Sequence, residues 1–453
     1  MSASPAGRPR TRRRRGGSMP VLDLAMSIGE RLLVSGMSAN DVVVQMLRVT
    51  RAYGLSSVHV DLTYTSMGVT HHRGPTRRPL SMVRIVQPVV VDYSKAKEIS
   101  RLLTRIEAGL SVEDARDAFD EIFWAPTPYP SWIALLGSGG IAAGVSLTFS
   151  TSWLLALIAF VTAAAAERLL RWLHARRVPP FFAQATVAGG MTMVAAGVHQ
   201  LGQSGLALFE DMDPTLIVVG GIVMLLAGVM IVGAVQDAID QFYVTASARL
   251  LEVVMRTGGI VAGILIAVRI LEVWDVAFVI VNTPGSLAPL WAQFVGAGLI
   301  SFSFAVYCFA DLATALLTAL VGLVGYGVYA ALNDAGSTEV VANTMAALTV
   351  GALATLLVRG TDAPGFGMES GALLPLVPGL ALLNGLLEMM GRDPDNPAIV
   401  AGGRSLFLAL LVALGIAAGA TLGTYLGRPV NDQLRRLRRR VKTVAESRYR
   451  PPV

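Results

Sequence analysis

Glu252 and Arg256 stand four residues apart in a largely apolar run, with Arg249 three residues before the glutamate. On a helix that spacing puts both charges on one face, a turn apart. Such a pair can neutralise itself, or it can part to take the two ends of a zwitterion. Arg256 offers planar paired donors to a carboxylate, and Glu252 can meet an ammonium or carry a proton. An ion in hydrocarbon costs about 2.5–3.5 kcal/mol on insertion scales, so both side chains must face each other or a polar cavity. Two readings stay open: a structural ion pair at the helix interface, and a substrate or proton site.

Other polar residues raise the same choice. Asp237 closes an apolar run, as a solvated helix-end acid or as a proton-accepting or gating carboxylate. Pro378-Gly379 lies inside another run, where proline removes a backbone hydrogen bond and permits a broken helix that could meet a polar substrate. Asn384 follows about one to two turns later. Gln184 and Asn343 are amides near the starts of two further runs, where hydrogen bonding between helices competes with a substrate role. His59, Asp61, His71 and His72 match no metal-ligand spacing, and His71 and His72 would point to opposite faces of a strand. The single cysteine, Cys308, excludes a disulfide framework and cysteine-based metal sites. The chain has no Gly-x4-Gly-Lys-Ser/Thr, HExxH or GxSxG motif, so neither an ATPase nor a familiar hydrolase is expected. No cofactor or metal is expected, and energy must come from an ion or substrate gradient.

The elements around these residues must hold polar groups in apolar surroundings. Of 453 residues, 53% are hydrophobic and 15% charged, against about 25% charged in a soluble domain. The mean hydropathy of +0.59 agrees, and a polytopic α-helical membrane protein follows. Residues 1–20 form a basic tail (Arg8, Arg10, Arg12 to Arg15) and 428–453 a second one, both suited to anionic lipid rather than nucleic acid. Residues 21–123 read as a small α+β domain: helices over 21–35 and 39–53, strands over 58–64 and 80–87 with Gly74-Pro75 between, then helices over 93–107 and 112–122. Residues 124–131, with Pro126, Pro128 and Pro130, are a stiff connector.

Ten spans are expected near 132–150, 152–168, 178–200, 214–235, 250–271, 290–309, 313–332, 339–358, 371–388 and 405–427. With both ends inside, the loop after span two carries Arg168, Arg171, Arg176 and Arg177, and the loop after span three carries Glu210, Asp211 and Asp213, as the positive-inside rule requires. Spans four and five can be laid on nine and ten. Leu225-Leu226-Ala227-Gly228 falls on Leu376-Val377-Pro378-Gly379, Asp237 on Glu388, Arg249 near Arg404, and Gly259 and Gly263 on Gly415 and Gly419. Gln184 in span three pairs with Asn343 in span eight. Two five-span units (132–272 and 290–427, joined by an outer linker at 273–289) then form an inverted 5+5 repeat, since an odd span count inserts the second unit upside down.

The chain resembles the threonine/serine exporter family over nearly its full length. The resemblance rests on Arg31-Leu-Leu-Val-Ser-Gly36, Arg51-Ala-Tyr-Gly54-Leu, Arg84-Ile, Asp92 and Gly109-Leu-Ser111, then on Leu374-Pro375-Leu-Val-Pro378-Gly379 and Asn384, in that order and spacing. It implies a cytoplasmic N-terminal domain before ten spans, and proton-driven export of threonine and serine through the cytoplasmic membrane. Related two-subunit systems make a small dicarboxylate such as succinate the alternative substrate. The rival from another class is a membrane-anchored enzyme or sensor working through residues 21–123. A homo-oligomer is compatible with all three. One departure from the family pattern is Ala227-Gly228 where Pro-Gly is expected, which predicts a weaker kink in span four.

Overall fold

The computed structural model describes residues 17–74, 76–86, 91–205, 209, 212–225, 228–276, 287–361, 365–377, 385, 388 and 397–448. An α+β unit comes first: α1 (Ser18–Val34), α2 (Ala39–Ala52), β1 (Val58–Leu62), β2 (Ser66–His71), β3 (Leu80–Ile85), α3 (Tyr93–Glu107) and α4 (Val112–Trp124). Its core is α1, where Leu22, Leu24, Met26, Ile28 and Leu32 are fully buried. Each such side chain is worth about 1.5–3 kcal/mol, which outweighs the roughly 1 kcal/mol helix penalty of Gly29. That glycine lets Met46 of α2 approach α1 closely. Serine side chains cap two of the helices: Ser38 Oγ accepts the Asp41 N–H at 3.2 Å and Ser111 Oγ the Asp114 N–H at 3.1 Å.

The sheet has one strand more than expected. β2 pairs antiparallel with β1 (Val60 opposite Val69) and with β3 (Val69 opposite Met82). Two things hid it. Its inward face of Met67, Val69 and His71 ends on a polar residue, with Gly68, a poor strand former, on the other face, and the hairpin before it, closed by Thr63 N–H to Ser66 C=O at 2.8 Å, contains neither Gly nor Pro.

Residues 131–273 fold into α5 (Ser131–Phe149), α6 (Trp153–Ala175), α7 (Pro180–Gln203), α8 (Thr215–Leu225), α9 (Gly228–Ile239) and α10 (Tyr243–Val273). The next stretch gives α11 (Leu290–Tyr307), α12 (Leu312–Asp334), α13 (Glu339–Thr361), α14 (Gly365–Leu373), a 3-10 turn (Leu374–Leu376) and α15 (Pro397–Arg448). Among the described residues, eight helices are long and apolar enough to cross a membrane: α5, α6, α7, α10, α11, α12, α13 and α15. Leu312, Leu316, Leu320 and Val324 form a stripe at four-residue spacing on α12 and are all exposed, a face that suits lipid tails and not water.

These eight coincide with eight of the ten expected spans; the fourth and ninth have no full-length helix among the described residues. α8 ends at Leu225 and α9 begins at Gly228. α14 ends at Leu373, and past the 3-10 turn Val377 is extended (φ −71°, ψ 131°). Pro375 within that turn cannot donate to the helix ladder, which fits the stop. Pro378, Gly379 and Asn384 lie outside the described residues, as do residues 1–16 of the basic tail and 277–286 of the linker. The last helix does not stop at 427: α15 is 52 residues long and runs on to Arg448, so the start of the basic segment prolongs the helix.

The same neighbours pack in both stretches. α5 meets α6 and α8, α6 meets α7 and α8, and α7 meets α8 and α10. Likewise α11 meets α12 and α14, α12 meets α13 and α14, and α13 meets α14 and α15, while α5 and α11 pack on each other. A Cβ on Gly259 or Gly263 would collide with the carbonyls of Phe181 and Ala185 on α7; one on Gly415 or Gly419 would collide with Thr344 on α13.

Candidate functional site

At 31 residues α10 is about 46 Å long, well beyond the roughly 30 Å of bilayer hydrocarbon. Its first turns carry Arg249, Glu252 and Arg256, and the α+β unit packs against them. Arg256 pairs with Glu252 on the same helix, as the spacing implies. Tyr64, at the tip of the β1–β2 hairpin, donates its hydroxyl to Glu252 Oε2. Burial, and after it the Glu252 carboxylate, push the Tyr64 phenol up to about 12, so it stays a donor throughout the physiological range. One turn earlier, Arg249 places its guanidinium 5.9 Å from the centre of the Tyr64 ring. Its Nη1 lies 2.9 Å from Asp237 Oδ2. Thr245 Oγ1 donates weakly to Leu62 C=O at 3.4 Å.

Asp237 is not the solvated helix-end acid that one reading allowed. It is fully buried, and its Oδ1 accepts the Ala39 N–H at 2.9 Å, at the start of α2. Its charge therefore serves twice, against Arg249 and against the positive end of α2. Burying the pair is costly, but removing one partner costs about 3–5 kcal/mol, because the other ion is left stranded.

A second seam joins the α+β unit to the α11–α12 turn. Tyr93 N–H donates to Cys308 C=O at 2.8 Å, Lys97 Nζ pairs with Asp311 Oδ1 at 3.0 Å, and Tyr129 of the connector donates to Val306 C=O at 2.6 Å. Asp311 thus sits in the turn where the spans placed it.

Between the α1–α2 turn, α9, α14 and α15 lies a cavity of about 330 Å³. Its polar wall includes Asp41, Gln236, Asp240, Glu369, Ser370 and Thr424, and Val377, the extended residue after the 3-10 turn, also lines it. Glu369 Oε2 accepts from Thr424 Oγ1 at 3.2 Å, and Gln236 Nε2 reaches Oε1 at 3.5 Å. No Lys, Arg or His occurs among the described residues of this wall.

The candidates from sequence thus fall in separate places. Asp237, Glu252 and Arg256 are brought together along the seam, and none of them lines the cavity. Gln184 and Asn343 are buried on α7 and α13, away from that seam. Gln184 precedes Ala185, which meets Gly263, and Asn343 precedes Thr344, which meets Gly419, so the two amides hold equivalent places. Asn343 Nδ2 donates to Glu339 C=O at 2.9 Å, while Gln184 Oε1 and Asn343 Oδ1 have no hydrogen-bond partner among the described residues. Glu388, the residue matched to Asp237, accepts from Ser405 Oγ at 3.2 Å.

Sequence reasoning misses Glu369, Tyr64 and Glu167. Glu369 stands two residues before the expected start of span nine and so passes as a loop acid. Glu167, buried on α6, pairs with Arg171 at 2.7 Å and accepts from Tyr307 at 3.1 Å, so Arg171 is more than a loop charge. Among the described residues no group of three or more His, Cys, Asp or Glu could hold a metal ion.

The family model for threonine/serine exporters matches residues 23–271 and 280–427. A Mycobacterium tuberculosis protein named "Probable threonine/serine exporter" is 34% identical over 407 residues, covering 87% of this chain and 75% of its own. A Corynebacterium glutamicum protein named "Threonine/serine exporter" is 32% identical over 400 residues, covering 87% of this chain and 79% of its own. No solved structure matches.

Proposed function

The chain belongs to the threonine/serine exporter family, and we propose that it carries threonine and serine out of the cell across the cytoplasmic membrane by proton antiport. It is a multi-pass membrane protein, and its family is one of transporters. A membrane potential of 100 mV is worth about 2.3 kcal/mol per charge, roughly fifty-fold in concentration, so one inward proton suffices for each exported amino acid.

The observation that carries a transport cycle is the repeated packing. The same helix pairs form in residues 131–273 and 290–448, the closest glycine contacts fall at equivalent places, and the two apolar stretches that lack a full-length described helix are themselves equivalent. We read α8 with α9 as span four, and α14 with the residues after it as span nine. That makes ten spans in an inverted 5+5 repeat, the symmetry by which many carriers alternate between faces.

In that topology the α+β domain is cytoplasmic, as are both termini. The seam contacts support this: the domain touches the α9–α10 turn, the α11–α12 turn and the start of α14, all on one side of a ten-span arrangement. The α1–α2 turn lines the cavity, so the domain forms part of its inner entrance. Glu252 and Arg256 then act as a latch. Ionised, Glu252 holds both Arg256 and Tyr64; protonated, it loses its attraction for Arg256 and accepts a weaker bond from Tyr64. Asp237 keeps the gate aligned.

Loading cells with a threonine dipeptide and timing threonine efflux tests the function. Unchanged efflux after gene deletion, with other exporters silent, would end the proposal, and succinate in the same assay tests the dicarboxylate alternative. A cysteine at exposed Ser57 should resist an impermeant thiol reagent in intact cells; labelling there would overturn the topology. Transport that survives deletion of residues 21–123 would remove the enzyme or sensor alternative.

A further inference from the structure

We propose that the α+β unit is a strap across the inner face: it stays fixed to α11, α12 and α14 through Tyr93 and Lys97, and parts from α9 and α10 to let the substrate in. The inference rests on the export reading above and adds which of the two seams opens.

The unit holds both stretches at once. To residues 131–273 it is tied by Ala39 N–H on Asp237, by Tyr64 on Glu252 and by Thr245 on Leu62 C=O. To residues 290–448 it is tied by Tyr93 N–H on Cys308 C=O and by Lys97 on Asp311. The cavity lies between the two seams, with the α1–α2 turn, α9 and α14 all on its wall. While both seams are closed the two stretches cannot move apart on that side. A carrier that rocks must therefore break one of them.

Two differences decide which. The first is where the ion pairs run. Asp237 pairs with Arg249 and Glu252 with Arg256, both pairs lying within α9 and α10, so each acid keeps its arginine when the unit leaves. Lys97–Asp311 runs across the other seam, and parting that seam would separate the two charges.

The second difference is what each seam hides. Tyr93 is 4% exposed, and its ring lies on Gly367 of α14, where a Cβ would stand 2.9 Å from Cδ2. Phe366 meets the ring edge-on at 5.7 Å, and Ala305, Cys308 and Ala315 belong to the same apolar cluster. Withdrawing Tyr93 would expose that surface to water, whereas the polar groups of the first seam exchange their bonds for bonds to water. A phenylalanine packs on the core of the unit from either stretch, Phe242 and Phe366, so those two contacts do not discriminate.

The test uses the full-length protein in inside-out membrane vesicles, with threonine counterflow and labelling by an impermeant maleimide mapped by peptide mass. Cys308, the single native cysteine, is buried and reports on the Tyr93 seam. Thr245→Cys, at a buried residue bonded to Leu62 C=O, reports on the other. During counterflow Thr245→Cys should label several-fold faster than without threonine, and Cys308 should stay unlabelled. Linking Leu62→Cys to Thr245→Cys with a short bifunctional thiol reagent should abolish counterflow, and linking Lys97→Cys to Asp311→Cys should leave it intact. Counterflow measured before the reagent is added controls for folding of each pair, and labelling gives the answer independently if a pair does not fold. Counterflow that survives the Leu62–Thr245 link or is lost with the Lys97–Asp311 link would overturn the strap and leave the exporter reading intact. So would labelling of Cys308, or protection of Thr245→Cys, during counterflow. A wild type without threonine counterflow would overturn both.

Discussion

In residues 131–273, α10 lies against α7 where Gly259 and Gly263 admit the carbonyls of Phe181 and Ala185; in residues 290–448, α15 lies against α13 where Gly415 and Gly419 admit Thr344. The backbones meet in the same way, yet the side chains beside these glycines differ. α10 carries Glu252 and Arg256 about two turns and one turn before its first glycine, Gly259, and the matching stretch of α15, Phe407 to Val412, is apolar. Asp237 at the end of α9 is sealed under α2, whereas its counterpart Glu388 is only part-buried and accepts from Ser405. Packing kept alike and chemistry allowed to diverge is what a carrier with one loading face requires. In the proposed carrier the common scaffold would let the two stretches rock against each other, while the charges on α10 are what the α+β unit grips through Tyr64.

The largest expected effect breaks the comparison at its acids. Asp237→Ala leaves Arg249 buried without its partner and should cost about 3–5 kcal/mol in denaturant unfolding of the detergent-solubilised protein. Glu388→Ala should cost only about 1 kcal/mol, as for the loss of a single part-buried hydrogen bond. Equal losses would erase the asymmetry. Next comes what the stretches share: Gly263→Ala and Gly419→Ala each push a methyl into a backbone carbonyl and should each cost about 1–3 kcal/mol. A harmless change at either glycine would argue against equivalent packing.

Tyr64→Phe removes one hydrogen bond to Glu252 and should loosen the hairpin by about 1 kcal/mol, seen as faster amide exchange in β1 and β2 with α7 and α13 unaffected. The smallest effects belong to the matched amides. Gln184→Met and Asn343→Leu each remove an oxygen that has no partner among the described residues, so stability should move by less than about 1 kcal/mol, and alike in the two. A large loss at one and not the other would show that they are not equivalent.

The spans were legible because an apolar run of some twenty residues is hard to bury anywhere but in a bilayer. The Glu252–Arg256 pair was legible because both partners lie on one turn of one helix. The seam was not. Ala39 and Asp237 are 198 residues apart, and Tyr64 and Glu252 are 188 apart, and no local pattern announces either contact. β2 was hidden by Gly68 and a hairpin without turn residues. Glu369 was hidden by a boundary drawn two residues too late, although a lone acid in an apolar stretch is itself a signal.

Threonine net efflux and threonine counterflow, measured in the same membranes for Glu252→Gln and for Glu252→Gln with Arg256→Gln, test the central claim most directly, with protein abundance matched. Glu252 as the proton-sensitive latch predicts that Glu252→Gln retains counterflow and loses the response of net efflux to the proton gradient, and that the double variant loses it too. Near-normal gradient-driven efflux in the double variant would contradict the account and leave Glu252 and Arg256 as a structural ion pair.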